Sequence, residues 1–310
     1  MSPLVSIITL NWNRKDDVIK TLAGLSSQTY EPKEIIVVDN GSTDGSAEAI
    51  RKNFPAVKII ELKENTGVAG YNRGIEQSQG EFVMLVDNDM DLMQIGTLQK
   101  VVSYFEANPR LGAVALQVRL ENQTDLSPNN PKHAPGRGNP ESGYPASTFD
   151  GGGVVFRKAA LDQVGLYTPE FFVYHSEVDL STRLWDAAYE IRYFPDIAVS
   201  HRHSPTARNP KLTTYYSTRN YFWYVWIYYP FSMKVLETLH FSQMSLIQNL
   251  RRGHSFTAWL RGVWDAVIGW RRVRSSRKPV KPETLRWMQQ LRVEDRIEKQ
   301  RTGAEGPVSA

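Results

Sequence analysis

Between residues 5 and 118 the chain repeats one pattern: a short aliphatic run, a polar turn, then a segment with apolar residues at helical spacing. This alternation constrains the fold more than any other feature. Strands joined by helical crossovers run parallel and must be covered by helices. Val5–Leu10, Ile35–Val38, Val57–Leu62, Phe82–Val86 and Ala113–Val118 are too short for helices and rich in β-branched residues, so they read as strands. Helical spacing recurs between them. It falls at Val18, Leu22 and Leu25, at Ala47 and Ile50 behind a cap in Ser42-Thr43-Asp44-Gly45, at Ala69, Asn72 and Ile75, and at Leu98, Val101 and Phe105. The pattern predicts an α/β fold, a Rossmann-like and mostly parallel sheet flanked by helices.

In such sheets ligands bind outside the carboxyl ends of the strands. Three of these ends carry polar loops, Asn11-Trp12-Asn13, Asp39-Asn40-Gly41 and Asp87-Asn88-Asp89, and they should converge on one crevice. Asp87 and Asp89 sit one residue apart, so both can reach the same space. Paired carboxylates suit a hard divalent cation such as Mg²⁺ or Mn²⁺, with positions left open for phosphate oxygens. No basic residue is evident beside the pair in the sequence. Residues 121–149 are rich in Pro, Asn and Gly and read as a long loop, after which Gly151-Gly152-Gly153 leads into the strand Val154–Phe156.

The 310 residues contain no cysteine, which excludes disulfides, thiolate metal sites and cysteine nucleophiles. Charge is divided along the chain. Residues 205–310 hold 18 Lys and Arg against 7 Asp and Glu, whereas residues 1–204 hold 19 against 26. The basic half suggests an anionic partner. It also contains an aromatic cluster, Tyr221 to Phe231, followed by Arg271, Arg272, Arg274, Arg277, Lys278 and Lys281. Two readings stand for the cluster, a packing helix or a helix lying at a membrane interface, and the basic run favours the second. The longest uncharged stretch there, Asn220 to Met233, is 14 residues, short of the ~20 a spanning helix needs. The first residues read as a strand, not a signal peptide, so the expected location is cytoplasmic, peripheral at the inner face of a membrane.

The motifs VSIITLNWNR, EIIVVDNGSTDGS, ENTGVAGYNRGI, FVMLVDNDMDL, FFVYHSEVDLSTRLWDAAYEIRYFPDIAVSHRHS and YYSTRNYFWYVW follow one another in that order. Over residues 3–230, roughly three-quarters of the chain, the series resembles a family 2 glycosyltransferase of the GT-A fold, of the rhamnosyltransferase-like branch. The resemblance implies a catalytic domain over residues 1–214. A helical aromatic and basic extension over 215–301 and a disordered tail over 302–310 complete the expected organisation. It also implies nucleotide-binding roles for Thr9, Asn11, Asp39, Asn65, Gly67, Asn72, Asp87 and Arg219, with Arg219 offsetting diphosphate charge. Asp89 would bind a divalent metal, and His201 is a candidate further ligand, with His203 a weaker one.

The family commonly shows Phe-Phe-x-Tyr-x-Glu-Asp-x-Asp-Leu on its acceptor side. Here the stretch is Phe171-Phe172-Val173-Tyr174-His175-Ser176-Glu177-Val178-Asp179-Leu180. Aligned on Asp-Leu, Ser176 takes the Glu position and Glu177 the place of the catalytic Asp, one methylene longer. Glu177 is therefore the expected general base. Asp179, pointing elsewhere if the stretch is helical, is a structural or acceptor-orienting partner. The implied reaction is inverting transfer of one sugar, from a UDP- or dTDP-type nucleoside-diphosphate sugar to a carbohydrate or lipid-linked hydroxyl. Such a reaction belongs to polysaccharide, glycolipid or other glycoconjugate synthesis. A nicotinamide dehydrogenase would need a glycine-rich turn after the first strand, and Asn11-Trp12-Asn13-Arg14 has no glycine. A nucleic-acid partner is not expected, because the basic half carries no binding motif. A non-catalytic sugar-nucleotide binder is the alternative, raised by the Ser176-Glu177 substitution.

Overall fold

The structure is a computed structural model, and it describes residues 2–121, 126–127, 130–131, 138–202, 209–251 and 255–301. His203 and the tail over 302–310 lie outside the described residues. Every predicted strand is present, as β1 (Val5–Asn11), β2 (Lys33–Asp39), β3 (Lys58–Glu61), β4 (Phe82–Asp87), β6 (Leu111–Leu120) and β8 (Gly153–Arg157), and a long strand β9 (Glu190–His201) follows. Two short strands without a periodic signature join them, β5 (Met90–Leu92) and β7 (Tyr144–Pro145). The helices α1 (Lys15–Ser26), α2 (Ser46–Asn53), α3 (Gly70–Gln77) and α4 (Thr97–Ala107) fall where the spacing places them. At the start of α2 the side chain of Asp44 works in two directions, accepting from the Ser46 N–H and from the Lys15 N–H that opens α1.

The sheet runs β3-β2-β1-β4-β8-β6-β9-β5, with β7 on β9. Strands β1 to β4 are mutually parallel, and β6 is parallel to β9, but β8 lies antiparallel between β4 and β6. With β5 and β7 also antiparallel to β9, the sheet is mixed where the spacing predicts a mostly parallel one. The reason is local: β8 and β5 enter the sheet from loops rather than through a helical crossover, and such returns pair antiparallel. One consequence matters for function. The Met90–His201 pairing of β5 with β9 sets the end of β9 beside Asp89.

One apolar core lies between the sheet and α1 and α4, built on Val18, Leu22, Val101 and Phe105. A second, on the opposite face, takes in Tyr71 and Ile75 of α3, Leu161 of α5 (Lys158–Val164) and Leu180 and Leu184 of α6 (Ser176–Asp186). A third belongs to the C-terminal helices α7 (Pro210–Tyr228), α8 (Phe231–Arg251), α9 (Phe256–Val273) and α10 (Pro282–Arg301). Here the aromatic cluster departs from the membrane reading. Phe222, Trp223, Tyr224 and Tyr228 are buried, packed with Ala266 and Val273 of α9. A helix that is apolar on every side is surrounded by protein, and over Tyr221–Tyr228 α7 has this character. No helix of the described residues is long and apolar enough to cross a membrane.

Candidate active site

The carboxyl ends of β1, β2 and β4 meet as neighbours, and their polar residues form one network. The Asn11 side chain donates to Asp39 Oδ1 at 3.1 Å and accepts from the Asn88 amide at 2.9 Å, tying the three loops together. Asp39 accepts the Ser42 N–H through its other oxygen. Asn40, which the sequence marks only as a turn residue, holds the next loop: its amide donates to Asn65 Oδ1 and the Gly67 carbonyl, and its oxygen accepts from Thr66. Asn11, Asp39, Asn65 and Gly67 are thus brought together. Thr9 is buried inside β1 with no partner for its hydroxyl. Both ends of the Asn72 amide are taken up by the backbone of Tyr167, at 2.8 and 3.1 Å.

The acidic pair is more closely supported than its sequence shows. Asp87 accepts from the buried Tyr71 hydroxyl at 2.8 Å, and burial together with the charge of Asp89 pushes its carboxyl up to about 6. Asp89 stands 3.3 Å from His201 Nε2 and 3.1 Å from an Arg14 guanidinium nitrogen. Burial opposes its ionisation, yet the hydrogen bond and charge of His201, with Arg14 and Arg202, hold it below the usual carboxylate range. The expectation of no basic residue nearby is therefore overturned. Arg14 follows β1, the neighbour of β4, and Arg202 follows β9, so sheet order delivers both. Arg202 also donates to Thr21 and the Asp17 carbonyl and pairs with Asp91, clamping the Asp89 loop to α1.

Glu177 lies in the first turn of α6, a place where the helix dipole favours negative charge. A Cβ at Gly151 would stand 2.7 Å from Glu177 Oε1, and one at Gly152 would stand 2.6 Å from Asp87 Oδ2. Two consecutive glycines therefore form a seam with the Glu177 carboxylate on one position and the Asp87 carboxylate on the next. The sequence shows these glycines only as the start of a strand. Asp179, two residues along, is fully buried and accepts from Tyr228 at 2.5 Å, Arg183 at 2.7 Å and Thr168 at 3.0 Å. It joins α6 to α7.

Arg219 and Asn220 join the same two layers from the other side. The Arg219 guanidinium donates to the Glu170 and Phe171 carbonyls and lies over the rings of Tyr216 and Trp223. The structure thus sets its charge on the 170–174 loop, on backbone carbonyls rather than on the Asp39 or Asp87 side chains. Asn220 donates to the carbonyls of Phe171, Val173 and Tyr174 at 2.9, 2.7 and 2.9 Å. This loop needs the support, because Phe172, Tyr174 and His175 all hold positive φ, costly for side-chain-bearing residues. The Phe172 carbonyl accepts from Val68 N–H, and a Cβ at Gly67 (φ +63°) would stand 2.0 Å from it, so only glycine allows the two loops this close.

Residues 6–165 match the model of Glycosyl transferase family 2, about half of the chain. The chain belongs to that family. Among curated relatives of this family 2 chain, the poly-beta-1,6-N-acetyl-D-glucosamine synthase of Staphylococcus epidermidis is 30% identical over 201 residues, 62% of the chain and 48% of the relative. The synthase of the same name from Staphylococcus aureus strain MSSA476 is 28% identical over 202 residues, again 48% of its length. The chain thus spans about half the length of the curated relatives it matches. Solved structures share the fold. A mannosyltransferase from Pyrobaculum calidifontis, in complex with GDP-Man and Mn²⁺, has a TM-score of 0.57 at 18% identity, over 97% of this chain and 88% of that one. Residues 1–349 of TarS from S. aureus give 0.61 at 18% identity, over 96% and 91%. GalNAc-T7 with UDP, GalNAc and Mn²⁺ gives 0.62 at 13%, over 74% and 48%. The architecture is GT-A: a mixed sheet flanked by helices, with a helical C-terminal region. None of these relatives bears a rhamnosyltransferase name.

Among the described residues no three His, Asp or Glu side chains are already gathered around a metal position. The chemistry of the donor set nevertheless fits a hard divalent cation with few protein ligands. Asp89 and His201 are adjacent, and Asp87 shares the strand end with Asp89, its carboxyl raised first by burial and then by the charge of Asp89. The hydrogen bond to Asp89 raises the His201 imidazole above its usual range, so the ring must give up a proton to ligate.

Proposed function

We propose that the chain moves a single sugar from a nucleoside-diphosphate sugar to an acceptor hydroxyl, with inversion at the anomeric carbon, in the synthesis of a polysaccharide or related glycoconjugate. The observation that carries this reading is the Gly151-Gly152 seam, with the Glu177 carboxylate against one glycine and the Asp87 carboxylate against the next. A base and an anion-facing site then flank one reacting centre, as a single displacement requires. The names of the curated relatives support a polysaccharide product, and the UDP and GDP-Man bound in the structural neighbours support a nucleoside-diphosphate donor.

In this reading Asp39 and Asn11 receive the base and ribose, with the 65–67 loop closing over them. Glu177 takes the proton of the acceptor hydroxyl as its oxygen attacks the anomeric carbon from the face opposite the diphosphate. No covalent glycosyl-enzyme forms. Asp89 and His201 would hold the cation, Mg²⁺ or Mn²⁺, which when bound offsets charge on the departing diphosphate. Arg14 lies close enough to Asp89 to share in that offset. The catalytic machinery occupies residues 1–214, and the helices over 215–301 brace its acceptor side through Arg219 and Asn220.

The test is nucleotide release from a panel of donor sugars with Mn²⁺, with and without an acceptor glycan. Glu177→Gln should lower acceptor-dependent release by about 10²–10⁴-fold while donor still raises the melting temperature. Release near the native rate in Glu177→Gln, with Asp179→Asn dead, would show that the base is misassigned. Donor binding without release under any acceptor would favour a non-catalytic sugar-nucleotide binder.

A further inference from the structure

Among the described residues, eleven of the seventeen large exposed apolar side chains belong to α8 and α9. Leu236, Leu239 and Leu250 of α8 and Leu260, Trp264 and Ile268 of α9 are each at least 51% exposed. These are not loose ends of the interior. On α9 the opposite face makes the packing contacts: a Cβ at Gly262 would stand 2.8 Å from the Tyr215 carbonyl, and Trp223 donates to the Ala266 carbonyl. Leu260, Trp264 and Ile268 follow at four-residue steps on the side turned away from α7. They are also separate from the Tyr221–Phe231 cluster, most of which is buried.

Charge identifies the occupant. Residues 231–281 contain ten Lys and Arg and two acids, Glu237 and Asp265. Both acids are engaged by α7, Glu237 by the Tyr221 hydroxyl and Asp265 by the Tyr215 hydroxyl at 2.8 Å. The basic side chains that remain outward, Arg261, Arg271, Arg272, Arg274 and Lys278, flank the apolar stripe of α9 and its C-terminal end. A second copy of this chain would bring like charge against like charge. An anionic bilayer offers an apolar layer beneath a negative surface, which this face matches on both counts. We propose that the outer face of α8 and α9 docks in the plane of an anionic lipid bilayer. Asn220 and Arg219 tie α7 to the 170–174 loop, so docking of the helices next to α7 also fixes where that loop stands relative to the lipid surface. The proposal holds or fails independently of the sugar-transfer reading.

The experiment is flotation of the full chain with phosphatidylcholine vesicles, with and without phosphatidylglycerol, at low and high salt. Binding should require phosphatidylglycerol and fall with salt. The triple variant Arg271→Gln, Arg272→Gln, Arg274→Gln should weaken partitioning on the order of 10²-fold, and Leu239→Asp with Trp264→Asp should abolish it. Circular dichroism melts check that both variants stay folded. If the apolar variant does not, the arginine variant still decides the question. Failure to float with anionic vesicles at low salt would overturn the proposal, as would flotation unchanged in the arginine variant. Light scattering supplies the other outcome: a dimer without vesicle binding, broken by Leu239→Asp with Trp264→Asp, would assign the face to a second copy.

Discussion

Two acidic regions of the molecule have opposite characters. At the α6–α7 joint, Asp179 is enclosed by Arg183, Tyr228 and Thr168, and its charge is met on each side. At the carboxyl edge of the sheet, Asp87 and Asp89 stand together, and the Asp87 carboxyl is pushed up to about 6, first by burial and then by its neighbour's charge. A buried carboxylate with a full set of partners holds structure in place. Asp87, which accepts from a neutral hydroxyl and keeps the repulsion of Asp89 in the folded protein, suits something that arrives later. Burial separates Glu177 and Asp179 too: two residues apart on one helix, Asp179 is fully buried and Glu177 only partly.

The largest effect that sharpens this comparison is expected at Asp89. Asp89→Ala should abolish sugar transfer and remove the extra donor stabilisation seen with Mn²⁺, while the protein itself melts near the native temperature. The carboxylate is already balanced by Arg14 and His201, so its loss relieves as much charge as it strands. Full activity of the native protein in excess chelator would break the comparison on the metal side. A large drop in melting temperature would break it on the structural side.

Next comes the reverse case. Asp179→Ala leaves Arg183 buried without its counter-charge and removes the acceptor for Tyr228, so stability should fall by about 3–5 kcal/mol in denaturant unfolding. Donor binding measured below the new transition should survive, because the Asn11, Asp39 and Asn88 network does not touch this joint. A stable Asp179→Ala protein that has lost only its rate would place Asp179 on the reacting side.

The sequence makes the sheet edge legible and hides most of the α6–α7 joint. Strand ends are readable from aliphatic runs, and parallel topology sends them to one edge, so Asp39, Asp87 and Asp89 could be grouped without coordinates. Arg14 is 75 residues from Asp89, but it follows a strand that neighbours β4, so sheet order would have found it. Other features have no local signature. The left-handed run over Phe172, Tyr174 and His175 is braced by Asn220, which takes up the Phe171, Val173 and Tyr174 carbonyls, and neither partner signals the other in sequence. The short strand β5 has no period to read, yet its pairing brings His201 to Asp89. The aromatic cluster misleads for a physical reason: aromatic density is shared by packed helices and interfacial ones. What separates the two is whether apolar residues go round the helix, as in α7, or line one side, as in α9.

The smallest effect concerns the joint where the two regions meet. His175 caps α6 at φ 64°, with its Nδ1 buried and without a hydrogen-bond partner. Burial, and secondarily the charge of Arg292, pushes its imidazole down to about 4. The unfolded chain takes up this proton near the ordinary histidine value of about 6.5, so between pH 6.5 and 4 the unfolded state binds more protons than the folded one. Stability contributed here is complete above that window and declines as the pH falls through it, by at most about 1.4 kcal/mol per unit. Asn tolerates positive φ and does not titrate, so His175→Asn should flatten the acid side of the stability profile by close to one proton while leaving the neutral melting temperature little changed. The curve of unfolding free energy against pH, measured for both proteins, gives that slope directly. Parallel slopes would mean that His175 gains its proton within the folded protein, and the 172–175 loop would then open at mild acidity before the rest of the joint gives way.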